Sequence, residues 1–172
     1  MSRATEIVPF SICFVCAGNI CRSPMAEIVF LSRARQAGLS QWVTATSAGI
    51  GDWHVGERAD QRTLDALSAR GYDGSMHRAK QFDENWFPNL DLVVALDRTH
   101  LRSLQHSAPT ASDQTKVSLL MSFDDSADRT WDVPDPYYSS AETFDQVLGM
   151  IERASLALFR QLEPAIRQGA LR

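Results

Sequence analysis

Residues 11–38, SICFVCAGNICRSPMAEIVFLSRARQAG, pass from a buried strand through a tight loop into a helix, and that order decides the fold. The run SICFV (11–15) is apolar, β-branched and aromatic, which suits a strand covered on both faces. At Ser23 the pattern turns helical: Ser23 stands as N-cap, Pro24 takes the first helical position and Gly38 ends the helix.

The rest of the chain repeats the alternation. VTATSAG (43–49) reads as a second strand, and RADQRTLDALSARG (58–71) as a helix with Leu64 and Leu67 on one side and Gly71 as terminator. DLVVALD (91–97) is a third buried strand whose last residue, Asp97, can cap the helix of RTHLRSLQ behind it. KVSLLMSF (116–123) predicts a fourth strand, and DDSADRTWDVPDPYYS (124–139), with its prolines and aspartates, a structured loop. Ser139 and Glu142 have capping-box spacing, and Phe144, Val147, Leu148, Ile151, Ser155, Leu158 and Leu162 follow at three- and four-residue steps, predicting a long amphipathic closing helix. Strands alternating with helices imply a parallel sheet with helices on both faces, a doubly wound three-layer α/β sandwich. One domain is expected over 1–172, with residues 1–9 as a flexible N-terminal tail. Ligands of such sheets sit beyond the carboxyl ends of the strands, where residues 16–23 fall.

Composition narrows the function. With 44% hydrophobic and 22% charged residues, the chain of 172 residues has the make-up of a globular domain and not of a disordered or coiled-coil one. A net charge of −4 with scattered Lys and Arg argues against a nucleic-acid partner. Runs such as ICFVCAG and LVVAL are too short to span a bilayer, so no membrane association is expected. Glu6 and Pro9 interrupt the apolar core that a secretory signal would need, which points to a cytoplasmic protein and leaves a signal-less export route open. Cys13, Cys16 and Cys21 form an odd, clustered set, poor as a disulfide framework and suggestive of a reducing compartment and of chemical use of at least one thiol.

The loop CAGNICR (16–22) has the make-up of an anion site. Gly18 and Asn19 are the residue types that most readily take left-handed backbone angles, so the chain after Ala17 can turn several N–H groups toward one spot. The following helix adds its partial positive N-terminus, and Arg22 a planar fork for two phosphate oxygens. The same field favours the thiolate of Cys16, which at the floor of a phosphate cradle is placed for in-line attack on phosphorus. Expelling an alkoxide or phenoxide needs a proton donor, and Asp135, stiffened by Pro134 and Pro136 in a loop that can hang over a pocket, is the best placed. No metal or other cofactor is required.

Cys16 to Arg22 in the form VCAGNICRSPMAE, followed far downstream by DPYY, closely resembles the low-molecular-weight protein tyrosine phosphatases, with a bacterial flavour; SAGIGDWHVG and LVVALDR add to the likeness. The resemblance covers nearly the whole chain. It implies a flavodoxin-like domain with four parallel strands, with Cys16 as nucleophile, Arg22 as phosphate clamp and Asp135 as general acid. Ala17, Gly18, Asn19, Ile20 and Cys21 would form the phosphate loop, and Ser23 would donate to the Cys16 sulfur. Asn19 would hold the loop, helped by Ser47 and His77, and Trp53, His54, Tyr137 and Tyr138 would wall a pocket for a phenyl ring. Cys21 would trap an oxidised Cys16 as a reversible disulfide. The substrates implied are phosphotyrosine-containing proteins and peptides, with phosphate and vanadate as inhibitory anions.

Plainer readings compete. Cys13 reads as a packed strand residue, and Cys21 stands between packing and redox partner. Asp124, Asp125, Asp128 and Asp132 read as solvated loop charges. Trp53 and Tyr138 fit ordinary packing as well as a substrate wall, and Ser47 and His77 fit local backbone bonding. CFVC lies inside a strand, unlike a thioredoxin-type pair, and the cysteines lack zinc spacing. Arsenate reductases of the same fold use later cysteines, absent after Cys21. A protein-arginine phosphatase shares the loop and fold, but that subgroup carries Thr where Ile20 stands.

Overall fold

The computed structural model describes residues 7–170. Of the expected N-terminal tail, residues 1–6 lie outside the described residues, and 7–9 carry no regular structure. The elements are β1 (Phe10–Cys16), α1 (Arg22–Gln36), β2 (Val43–Gly49), α2 (Gln61–Ala69), β3 (Leu92–Ala95), α3 (Arg98–Ser107), α4 (Ala111–Gln114), β4 (Val117–Leu119) and α5 (Ala141–Ala170). The four strands form one parallel sheet in the order β2-β1-β3-β4, the flavodoxin-like arrangement that the alternation of elements implies.

Alternate residues of β1 feed two separate cores, because successive side chains of a strand point to opposite faces. Ile12 and Phe14 pack with α1 and α5; Cys13 and Val15 face Phe87 and Leu104 on the other side. Phe30 of α1 is fully buried between Phe14 and Phe159, at ring-centroid distances of 5.7 and 5.5 Å. Truncating such a ring typically costs about 3–5 kcal/mol. Helix α1 thereby joins the sheet to the closing helix, and the loop between β1 and α1 has a rigid element at each end.

Local signals place most boundaries within a few residues. Gly38 and Gly71 end α1 and α2 with positive φ (71° and 83°), and the Asp97 side chain caps α3 through the His100 N–H. Three expectations need correction. Ser23 does not cap α1, which begins at Arg22 with no side-chain cap. The fourth strand stops at Leu119; Leu120–Phe123 is a 3₁₀ turn that carries Leu120 and Met121 into the core of α1 and α5. Helix α5 begins at Ala141, its first turn closed by Phe144 N–H on the Ser140 carbonyl, one residue later than a Ser139–Glu142 box would set. Among the described residues no helix is long and apolar enough to cross a membrane.

Candidate active site

The loop after β1 turns at Asn19, whose φ of 60° lies in the left-handed region. Gly18, expected to share that conformation, does not; it is needed for space, since a Cβ there would lie 2.9 Å from His54 Cδ2. Asn19 is fully buried and organises the loop through every polar group of its side chain. Its Nδ2 donates to Ser23 Oγ (2.8 Å) and Ser47 Oγ (2.9 Å), and its Oδ1 accepts from the Lys80 N–H (3.0 Å). The ring of His77 donates from Nε2 to the Asn19 carbonyl at 2.7 Å. Burial holds His77 below the ordinary histidine range, outweighing its bond to that carbonyl, and Lys80 and Arg78 push the same way.

Ser23, released from capping, faces the sulfur instead: its Oγ is 2.9 Å from Cys16 Sγ. The carbonyls of Cys16 and Ala17 accept from the N–H groups of Ile50 and Gly51 just after β2, at 2.9 and 3.0 Å. No group of the described residues accepts from the N–H groups of residues 17–22. Buried N–H groups are nearly always paired, and a run of unpaired ones at a helix N-terminus is able to receive an anion.

The guanidinium of Arg22 is almost entirely buried. Nη1 donates to Asp97 Oδ2 (3.0 Å) and to the Val133 carbonyl (2.8 Å), while Nη2 lies 3.7 Å from Asp135 Oδ2. Asp97 thus caps α3 with one oxygen and orients Arg22 with the other. His100 packs beside it with Nδ1 buried, 3.3 Å from Asp97 Oδ1 but not aligned for a hydrogen bond. Burial pushes the His100 imidazole well down, against the pull of Asp97.

A cavity of about 350 Å³ opens above the loop, lined by Cys16, Ala17, Gly18, Ile20, Cys21 and Arg22 below and by Trp53, His54, Asp135, Tyr137 and Tyr138 around it. Asn19, Ser23, Ser47 and His77 support the loop from outside that lining. Trp53 and Tyr138 are 69% and 95% exposed, so they stand at the rim and not in a core. His54 is tied by Nδ1 to Glu57 Oε2 at 2.7 Å and tilts against Tyr137 at 6.1 Å between ring centroids. Asp135 is half exposed, its Oδ1 accepting from the Tyr137 N–H (3.1 Å).

All three cysteines are free and buried. Cys13 is wholly inside the sheet and burial pushes its thiol up to about 12. Cys21 is also pushed up to about 12, first by burial and then by the Asp60 carboxylate. The expectation of solvated charges fails for Asp124, which is 3% exposed with Oδ1 bonded to the Ser126 N–H; Asp132 stays partly exposed and forks onto Arg98 at the surface. Among the described residues no three His, Cys, Asp or Glu side chains cluster as metal ligands. Sequence reasoning missed Asp97 and His100 as neighbours of Arg22; the one signal available was the cap position of Asp97, three residues before His100.

Residues 11–168 match the family model of the low molecular weight phosphotyrosine protein phosphatases. The chain belongs to this family. Its members are phosphoric monoester hydrolases, and so is this phosphatase. It is 54% identical over 150 residues, 87% of this chain and 91% of the relative, to a low molecular weight protein-tyrosine-phosphatase of Streptomyces coelicolor. It is 46% identical over 147 residues, 85% and 87% of the two chains, to low molecular weight protein-tyrosine phosphatase A of Mycobacterium tuberculosis. Among solved structures, a protein tyrosine phosphatase of Entamoeba histolytica with Hepes in its active site superposes with a TM-score of 0.85 at 31% identity, covering 91% of this chain and 98% of that one. Wzb of Vibrio vulnificus in complex with benzylphosphonate gives a TM-score of 0.75 at 28% identity, covering 89% and 99%.

Proposed function

We propose that the phosphatase hydrolyses protein phosphotyrosine and small aryl phosphates through a phosphocysteine intermediate. The observation that carries this reading is the meeting of Cys16, Arg22 and Asp135 at one cavity whose rim is aromatic. Supporting it, one relative takes a benzylphosphonate and another Hepes, an aryl-bearing and a sulfonate anion.

In the first step the Cys16 thiolate attacks phosphorus, an S–P bond forms, the P–O bond to the phenolic oxygen breaks, and Asp135 gives that oxygen its proton. Arg22 and the free N–H groups of the loop hold the three equatorial oxygens, whose charge is the main thing to be stabilised. In the second step Asp135, now a carboxylate, takes a proton from water; the water oxygen bonds to phosphorus, the S–P bond breaks, and inorganic phosphate leaves. Ser23 Oγ, 2.9 Å from the sulfur, donates to the thiolate that departs. Ile20, an aliphatic lining residue, suits a phenyl ester better than a guanidinium phosphate. Phosphate and vanadate would inhibit by occupying the loop, and Cys21 would guard an oxidised Cys16.

The deciding assay compares phosphotyrosine, phosphoserine and phosphoarginine peptides, with quenched reactions searched for phosphate on Cys16. Turnover confined to phosphotyrosine with label on Cys16 is expected. Preference for phosphoarginine, or full activity of Cys16→Ser, would overturn the proposal.

A further inference from the structure

A second carboxylate–arginine pair, Asp60 and Arg62 at the start of α2, joins the loop 16–22 to the segment that carries Asp135. The Asp60 N–H donates to the Ile20 carbonyl at 2.9 Å. Its carboxylate takes the Arg62 N–H (2.9 Å), Nε (3.0 Å) and Nη2 (2.8 Å), a fork that holds the carboxyl below the usual carboxylate range. The same guanidinium then donates from Nη2 to the Tyr137 carbonyl and from Nη1 to the Ser139 carbonyl, each at 2.9 Å. Its plane also rests 4.3 Å above the buried Phe144 ring.

The half-buried pair itself engages only Nε and Nη2 of the guanidinium, so attraction between Asp60 and Arg62 does not account for its bonds to two carbonyls as well. What the pair fixes is a distance. Residues 124–139 contain no helix or strand, and their position depends on tethers. The upstream end is held by Asp132 on Arg98 and by Val133, whose N–H meets the Leu96 carbonyl and whose carbonyl meets Arg22. Beyond Asp135, Arg62 supplies two further tethers, at Tyr137 and Ser139. Tyr137 is the residue whose N–H holds Asp135 Oδ1, so Arg62, bonded to the Tyr137 carbonyl, acts on the carboxyl group through the backbone of a single residue.

We infer that Asp60 and Arg62 are positioning residues for the proton donor, setting the Asp135 carboxyl against the Cys16–Arg22 floor. This inference rests on the reading of Asp135 as general acid. Arg62 is not among the residues that line the cavity; it acts through the backbone of Tyr137. Lysine cannot replace it, because an ammonium lacks the planar fork that meets a carboxylate and two carbonyls together.

The test compares kcat/KM, which covers the steps through phosphorylation of Cys16, for p-nitrophenyl phosphate and for phenyl phosphate, whose leaving group needs the proton. A positioned acid is worth roughly 10²- to 10⁴-fold, and a misplacement of about 1 Å costs about 10²-fold. Arg62→Ala should therefore lose about tenfold or more on phenyl phosphate and less than about threefold on p-nitrophenyl phosphate, with inhibition by inorganic phosphate unchanged within about twofold. Adding Arg62→Ala to Asp135→Asn should cost almost nothing further. Equal losses of Arg62→Ala on both substrates, or an additive loss in the double variant, would overturn the positioning role while Asp135→Asn alone still shows selective loss on phenyl phosphate. Equal losses in Asp135→Asn itself would remove the general-acid reading and the inference with it. If Arg62→Ala has no cooperative thermal transition, Arg62→Lys takes its place, and its full retention of phenyl phosphate turnover would overturn the inference.

Discussion

Arg22 and Asp97 form a largely buried ion pair, Nη1 lying 3.0 Å from Oδ2, between the first residue of α1 and the cap of α3. The pair and the Val133 carbonyl engage one nitrogen of the fork, so the rest of the guanidinium faces the cavity in one orientation. Asp97→Asn keeps an oxygen for the α3 cap and removes the charge. It should destabilise the fold by about 1.5–3 kcal/mol, the range for a hydrogen bond to a charged group, and lower kcat/KM by roughly tenfold to 100-fold through misorientation. Denaturant titration and steady-state kinetics check the two effects. Undiminished kcat/KM would mean that Val133 alone orients Arg22.

Asn19 separates conformation from bonding. Alanine there would lose the bonds to Ser23, Ser47 and Lys80 and would keep an unfavourable φ of 60°. Glycine would lose the same bonds without the left-handed penalty of about 1–2 kcal/mol. Both variants should fall well below wild type in turnover, and Asn19→Gly should be the more stable by about 1 kcal/mol. Equal stability of the two would show that strain at this turn is negligible.

These two residues mark what was legible in the sequence. The turn at Asn19 and the cap at Asp97 follow from residue types next to their own strands and helices, and so does the strand Val43–Gly49, which VTATSAG outlines residue for residue. The meeting of residues 16–22 with 135–138 followed from a motif, not from any local physics. What could not be read were pairings between distant segments, Arg22 with Asp97 and Arg62 with Tyr137, because a side-chain fork leaves no periodicity in the chain. Ser23 shows the opposite error: a good capping residue was drawn off by a sulfur and an amide, Cys16 and Asn19, that only the tertiary structure brings to it. Leu120 failed for a similar reason, since an apolar run reads alike whether it stays in the sheet or leaves it for the helical layer.

Acid should weaken the fold through His77 and His100. Both are held below the free value of about 6.5 by burial. The unfolded chain therefore binds more protons in the window below about pH 6.5, and the stability they contribute is complete above it and lost as pH falls toward the folded values. Each contributes a slope of up to about 1.4 kcal/mol per pH unit there. Urea unfolding from pH 7 to pH 4.5 should show a shallower decline for His100→Gln than for wild type. An unchanged slope would mean that His100 titrates alike in both states.

The cysteines should differ sharply in reactivity. With thiols pushed up to about 12, Cys13 and Cys21 should resist iodoacetate at neutral pH while Cys16 is alkylated, as peptide mapping would show. Peroxide would convert Cys16 to a sulfenic acid, and attack by the Cys21 sulfur would form a disulfide with loss of water. Thiol treatment should then restore wild type and fail to restore Cys21→Ala. Equal recovery in both would remove Cys21 from that chemistry.

The tethers on residues 132–139 have a consequence for how the molecule comes to be active. The cradle follows the first strand, yet its Arg22 and the segment above it are tied together late in the chain, by arginines in the first turns of three helices, and that segment leads directly into α5. Chain contacts that close only after most of the polypeptide has been made are slow to form. In a growing or refolding chain the proton donor would thus be set over the cradle only after that segment has docked, and turnover of an unactivated ester relative to an activated one would serve as a clock for the docking.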